Sequence, residues 1–311
     1  MGTAFLFPGQ ASQFVGMGAD LYEQFDVARI MFDRADNDLP FDLKRLCFEG
    51  PIEELTQTRV TQPAIFVVSV ITSILLGPKD MMAASAGHSL GEYSALVAAG
   101  ALNFDEALKA VALRGELMQN AGNVRPGTMA AVIGMNEEQV NALCAEASTD
   151  DEVVVPANFN SPGQIVVSGD VEAVKRAVEH AKPMGARMAK LLNVSGAFHS
   201  PLMAPAAKEL AAKLSETPIR PPSVPVYLNV TAKPTTNPDE IRERLIDQLT
   251  HPVLWEQTLR NMADGDELTH YLEVGPGNVL QGLVKRTLAG AAFSGAGNAE
   301  QVQAILDEGV H

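Results

Sequence analysis

The chain has 311 residues, 46% hydrophobic and 20% charged, enough to bury a substantial core in one large or two modest domains. Its formal net charge of −15, with no run of lysine or arginine, argues against a nucleic-acid-binding surface. Two cysteines, Cys47 and Cys144, supply neither metal-ligand spacing nor a disulfide framework, and both suit a reducing compartment.

The start, Met1-Gly2-Thr3-Ala4-Phe5-Leu6, lacks the basic region and apolar core of a signal peptide, and Leu6 breaks the myristoylation pattern. The most apolar run, Ala64 to Leu76, reads as too short to cross a bilayer and is interrupted by Ser69, Thr72 and Ser73. A cytoplasmic protein without membrane contact is expected.

Thr3 to Phe7 reads as a buried strand that stops at Pro8-Gly9. Pro63 is placed for the first turn of a helix running through Leu76. Met81 to Ala86 follows as a strand, then a helix from Glu92 to Ala99 capped by Gly100. Asn103 with Glu106 opens a second helix to about Ala121. Past Arg125-Pro126-Gly127 the character changes. Strands over Thr128–Met135, Val153–Phe159, Gln164–Ser168 and Met188–Val194 alternate with helices over Asn136–Ser148 and Val171–Ala181. That βαββαβ order predicts a small ferredoxin-like domain, residues 127–195, inserted into a large α/β-hydrolase-like domain, residues 1–126 and 196–311. Beyond it come a strand over Val224–Val230, a helix over Ile241–Leu249, a strand over Leu268–Val274 and a helix from Val279 to about Leu288.

Between the strand ending at Ala86 and the helix from Glu92 lies Gly87-His88-Ser89-Leu90-Gly91, the form of a nucleophile elbow. Glycine on both sides lets the backbone reverse sharply and lift the serine hydroxyl clear, while the amides that follow sit at a helix N-terminus. Such a serine needs a base. Of six histidines, His88 is beside the serine and should point elsewhere, His180 and His270 lie in regular elements, His251 precedes a proline and His311 is terminal. His199, in an irregular segment where the insert rejoins the large domain, is the candidate, with a locally bonded loop histidine as the plainer alternative.

Arg114 shares an apolar helix face with Ala107, Val111 and Met118, and none of its helical neighbours is acidic. Its partner must be a distant carboxylate or a ligand's, because an unpaired buried charge is costly. The loop Phe7 to Gln13 could turn a backbone N–H toward the elbow. Gly275-Pro276-Gly277 does not extend to G-x-G-x-x-G, so a dinucleotide fold is a poor reading.

Together the Phe7–Gln13 loop, Thr61-Gln62-Pro63-Ala64, Gly87–Gly91, Arg114-Gly115, Asn158 to Gln164, Phe198-His199-Ser200, Gln248-Leu249 with Pro252, Val253 and Trp255, and Glu273 to Gly277 resemble the malonyl-CoA:acyl carrier protein transacylases over nearly the whole chain. The resemblance implies Ser89 as nucleophile and His199 as base and then acid, oriented by the backbone carbonyl of Gln248. It implies an oxyanion hole from the amides of Gln10 and Leu90, and a clamp at Arg114 for the malonyl carboxylate. Asn160 would line the site, and Phe198 would favour malonyl over methylmalonyl. No metal or redox cofactor is implied, the partners are malonyl-CoA and acyl carrier protein, and a monomer is expected. Carrier proteins of this kind are acidic, so docking calls for a local basic patch, for which Arg187, Lys190, Lys285 and Arg286 are candidates against a reading as solvated surface. A serine esterase or thioesterase is the rival. It would want an acid between serine and histidine, whereas the resemblance implies a base oriented without one, and an H-G-G-G run, which is absent, and it has no use for Arg114. A non-catalytic carrier-binding protein would have no reason to keep Ser89, His199 and Arg114 together.

Overall fold

The computed structural model describes residues 2–77, 81–265 and 268–308, so His311 lies outside it. In chain order the elements are β1 (Gly2–Phe7), α1 (Ala19–Gln24), α2 (Asp26–Asp38), α3 (Leu43–Glu49), α4 (Ile52–Leu55), α5 (Thr58–Leu76), β2 (Met82–Gly87), α6 (Gly91–Ala98) and α7 (Phe104–Val124). There follow β3 (Gly127–Ile133), α8 (Glu137–Ala147), β4 (Val154–Ser161), β5 (Gln164–Asp170), α9 (Val171–Ala181) and β6 (Met188–Leu191). The chain closes with α10 (Ala204–Glu216), β7 (Val226–Tyr227), β8 (Pro234–Thr235), α11 (Pro238–Asp247), α12 (Trp255–Gly265), β9 (Leu268–Val274), α13 (Val279–Thr287), β10 (Ala292–Ala296) and α14 (Ala299–Glu308).

These form a mixed α/β fold with two sheets. The larger has six strands in the order β10-β9-β1-β2-β7-β8, parallel except for β8. Its central strand explains why both faces must be covered. Phe5 and Phe7 enter the core shared with α5, while Ala4 and Leu6 enter a second core with Trp255 and Leu283. Side chains of a strand alternate between faces, so an all-apolar strand has to be sandwiched. The smaller sheet is antiparallel, β4-β5-β3-β6. Ala130 and Val132 of β3 point into a core with α8 and α9, and Met129 and Ala131 point the other way, toward the large sheet's side. The edge strand β4 ties the two parts: Phe159 N–H donates to the Val253 carbonyl and Val253 N–H to that of Ala157, each at 2.9 Å.

Several local expectations need correction. The helix containing Pro63 begins at Thr58, so Pro63 sits inside it rather than in its first turn. Burial of Val60, Thr61 and Gln62 outweighs the missing N–H and the crowding of the preceding turn. The full helix is 19 residues and, by length and composition, apolar enough to cross a membrane, which the shorter run Ala64 to Leu76 was not. Here 83% of that stretch is buried inside the protein, packed against α2, α6 and α7. The strand expected over Val224–Val230 shrinks to Val226–Tyr227, because Asn229 turns off the sheet to bond the elbow. The strand expected to reach Val194 ends at Leu191. Asn103 and Asn136 cap α7 and α8 as expected, Asn136 with Gln139 as a reciprocal capping box. Cys47 of α3 and Cys144 of α8 are both buried and free.

The elbow depends on close approach. A Cβ on Gly87 would stand 1.9 Å from Gly91 C, and one on Gly91 would stand 2.1 Å from the Phe7 carbonyl oxygen. Backbone cannot retreat as a flexible side chain can. Gly91→Ala is therefore expected to cost about 3 kcal/mol of stability, read as a lowered urea midpoint at unchanged slope; an unshifted midpoint would show that the strand and helix can separate freely.

Candidate active site

The cleft between the two sheets encloses about 370 Å³. Gln10, Ser89, Arg114 and His199 line it from the large-sheet side, and Met129 and Asn160 line it from the small sheet. Ser89 stands at the turn from β2 into α6 with φ of 50°, and His199 has φ of 57°; both are left-handed conformations that a side chain resists. Ser89 is held there by Asn229, whose Oδ1 accepts from Ser89 N–H at 2.7 Å and whose Nδ2 donates to the Gly87 carbonyl at 2.6 Å.

Ser89 Oγ lies 2.8 Å from His199 Nε2, and His199 Nδ1 lies 2.8 Å from the Gln248 carbonyl oxygen. A carbonyl only accepts, so Nδ1 carries the proton and Nε2 presents a bare lone pair to the serine hydroxyl. Burial, the Arg114 charge and His88 lower the His199 pKa to about 3, against a weaker upward pull from its bonds to the backbone of Gln248 and His251. The imidazole is neutral and able to accept a proton across the whole physiological range.

Arg114 is wholly buried. Its Nη1 donates to Gln62 Oε1 at 2.6 Å, and its Nη2 donates to Ser89 Oγ at 2.9 Å and to Gln248 Oε1 at 2.8 Å. Its guanidinium also lies 5.9 Å from the centre of the Tyr93 ring. No carboxylate among the described residues comes within ion-pairing distance, and its Nε is unpartnered. No acid among the described residues pairs with it directly, buried Glu92 reaching it only through the Gln248 amide, and three of the guanidinium's five donors are occupied, by neutral groups.

The remaining expected residues are distributed as follows. The N–H groups of Gln10 and Leu90 make no hydrogen bond to another described residue. Phe198 is buried and lines the cleft, as does Asn160. Arg286 lines it too, and Lys190 pairs with the cleft-lining Ala131 across β3 and β6, hence on the same face. Lys285 and Arg187 are exposed and do not line it. His88 makes no bond to Ser89: its Nε2 lies 2.8 Å from Asn160 Oδ1 and its ring meets Trp255 edge-on, linking the elbow to the small sheet.

Sequence reasoning missed Gln62, Glu92 and Asn229. Asn229 had a signal, a carboxamide inside an apolar run. Glu92 had none, since an acid in a helix's first turn is ordinarily solvated. Glu92 is wholly buried. Its Oε2 accepts from Asn229 N–H and from Gln248 Nε2, each at 3.0 Å, and its Oε1 has no partner. Burial raises its pKa to about 7, opposed by those two bonds and by Arg114.

A serine hydroxyl bonded to a neutral histidine, with two unbonded amides in the adjoining loops and a buried guanidinium donating to it, is the arrangement that acyl transfer through a serine ester requires. The chain belongs to the acyl transferase domain family, which matches residues 4–304. It is 47% identical over 287 residues to the malonyl CoA-acyl carrier protein transacylase of Bacillus subtilis strain 168, covering 91% of this chain and 89% of that protein. Among solved structures it is similar to the malonyl CoA-acyl carrier protein transacylase of Coxiella burnetii, with a TM-score of 0.94 and 40% identity over 100% of this chain and 98% of that one. A second is a malonyl-transacylase in complex with its type II polyketide acyl-carrier protein, with a TM-score of 0.93 and 40% identity over 99% of this chain and 100% of that one.

Proposed function

We propose that this protein transfers a malonyl group from malonyl-CoA to the phosphopantetheine thiol of acyl carrier protein, supplying the extender unit of fatty acid synthesis. The observation that carries the reading is Arg114: a wholly buried cation, hydrogen-bonded to the candidate nucleophile and lacking a carboxylate among the described residues. A substrate acid suits it, because the planar guanidinium matches a carboxylate and the unpaired charge is otherwise costly. The similarity to enzymes named for malonyl-CoA and carrier protein supports both partners.

In the first half-reaction Ser89 Oγ attacks the thioester carbonyl as its proton passes to His199 Nε2. The amides of Gln10 and Leu90 receive the oxyanion. His199 then returns the proton to the departing CoA sulfur, leaving a malonyl-serine ester. In the second half the carrier thiol gives its proton to His199 and attacks that ester, and Ser89 leaves with the proton. Neither half changes an oxidation state, so the chemistry calls for no redox cofactor. The Phe198 ring leaves little slack for an α-methyl branch. We read residues 127–195 as a ferredoxin-like insert over an α/β-hydrolase-like body, residues 1–126 and 196–311, and place the docked carrier across Arg187, Lys190, Lys285 and Arg286.

Intact-mass measurement after mixing with malonyl-CoA tests the reading. A malonyl adduct is expected, absent in Ser89→Ala and discharged by carrier protein with formation of the malonyl-carrier thioester. Rapid release of free malonate with little transfer would favour a hydrolase instead.

A further inference from the structure

Glu92 is a wholly buried ionisable group next to the candidate nucleophile that the mechanism above does not use. It lies in the first turn of α6, and only one of its two oxygens is satisfied. The group that satisfies it, besides the Asn229 amide, is the side chain of Gln248, whose other end accepts from Arg114. The Gln248 amide therefore stands between a buried carboxyl and a buried guanidinium, and its orientation is set from both ends. Its N–H₂ faces Glu92 Oε2 and the Ser89 carbonyl, and its oxygen faces Arg114. In the free enzyme at mildly alkaline pH this arrangement holds one positive and one negative charge, and His199 adds none.

A malonyl carboxylate on Arg114 changes that balance. Two anions would then oppose one cation around a wholly buried guanidinium and carboxyl, where like charges cannot both persist at low cost. The malonyl carboxylate would contact the guanidinium directly, whereas Glu92 is one amide removed and has an oxygen with no donor. The proton therefore goes to Glu92. We propose, resting on the transacylase reading, that Glu92 is a charge-compensating positioning residue: ionised in the free enzyme, it takes one proton from solvent when the malonyl carboxylate docks on Arg114, and releases it when the malonyl group leaves. An uncharged acyl group triggers no such uptake.

Burial already places the carboxyl's pKa near 7 with Arg114 as the only facing cation among the described residues, and a second anion raises it further. The other groups facing it do not compete for the proton. Tyr93, its neighbour, is pushed up by burial, and His88 and His199 are held neutral by burial. The packed strands β1 and β2 carry no titratable side chain, α5 offers only the exposed Arg59, and from α7 Arg114 is the group that acts on Glu92.

Calorimetric binding of malonyl-CoA to Ser89→Ala, in buffers of differing ionisation enthalpy, reads the uptake without chemistry. At about pH 8 between roughly half and one proton should be taken up per malonyl-CoA bound, with none for acetyl-CoA, and the malonyl-specific uptake should vanish near pH 5.5. The acetyl control cancels any proton taken up by the CoA phosphates. Adding Glu92→Gln should abolish the uptake and flatten an otherwise roughly three- to tenfold loss of malonyl affinity per pH unit above about 7. No malonyl-specific uptake, or uptake that survives Glu92→Gln, overturns the proposal. Should that variant not fold, infrared difference spectra of glutamate-labelled Ser89→Ala decide instead. A protonated carboxyl band that moves with the label is expected on malonyl-CoA binding, and its absence overturns the proposal. A wild-type chain that forms no malonyl adduct removes the transacylase reading itself, whereas an adduct without proton uptake removes only this inference.

Discussion

Replacing His199 with alanine should slow malonyl-serine formation by about 10³–10⁴-fold in kcat, measured by rapid-quench intact mass. The tautomer explains the size of the effect. With Nδ1–H committed to the Gln248 carbonyl, Nε2 is the atom placed to accept the serine proton, at 2.8 Å. Protonation would disable it, and its pKa is lowered to about 3 by burial first and then by Arg114. The sign is therefore clear: the active neutral form persists as pH falls below the usual histidine range and is lost only on approaching 3. With acetyl-CoA, which leaves the Arg114 charge unmet, the acylation rate of wild-type protein should stay flat from about pH 8 to about pH 5. A half-loss near pH 6.5 would mean that His199 titrates as a solvated imidazole and that the cleft is far wetter than its geometry indicates.

Arg114→Ala should reduce kcat/KM for malonyl-CoA by about 10³-fold, the consequence of leaving a substrate carboxylate without its charge partner in a closed site. Acetyl-CoA, with no carboxylate to strand, should lose far less, so the malonyl-to-acetyl ratio collapses. Some loss is common to both substrates, because the arginine also donates to Ser89 Oγ and fixes Gln62 and Gln248. Steady-state transfer assays with the two thioesters separate these contributions. An unchanged ratio would show that the carboxylate is held elsewhere.

How much of this was legible in the chain depends on whether the signal was local. The elbow was, since Gly87 and Gly91 bracket a serine between a strand and a helix, and the contacts that forbid a side chain there are made by near neighbours and by β1. The caps Asn103 and Asn136 were legible for the same reason. Arg114 was half legible: its place on an apolar face marked it as buried, but its partners Gln62 and Gln248 lie 52 and 134 residues away. Asn229 reaches the elbow across 140 residues, and no periodicity announces such a contact. The early region was the least readable. Helices α1, α3 and α4 are short, with few caps, and α2, α3 and α4 are stabilised by packing against α5 rather than by their own sequence. The strand expected over Val224–Val230 located β7 but overran its two residues, and the two-residue β8 falls below what alternation can reveal.

The placement of Cys47 and Cys144 has a consequence for the proposed transfer from one thiol carrier to another. Any accessible thiolate of the protein's own could intercept the malonyl group by thioester exchange, producing a dead-end adduct and draining the acyl supply. Both side chains are buried, and burial pushes their thiols up, Cys144 to about 12 and Cys47 beyond that, so neither offers a thiolate at neutral pH. Neither cysteine lines the cleft, so on the proposed mechanism no protein thiolate competes there with the Ser89 hydroxyl for a thioester.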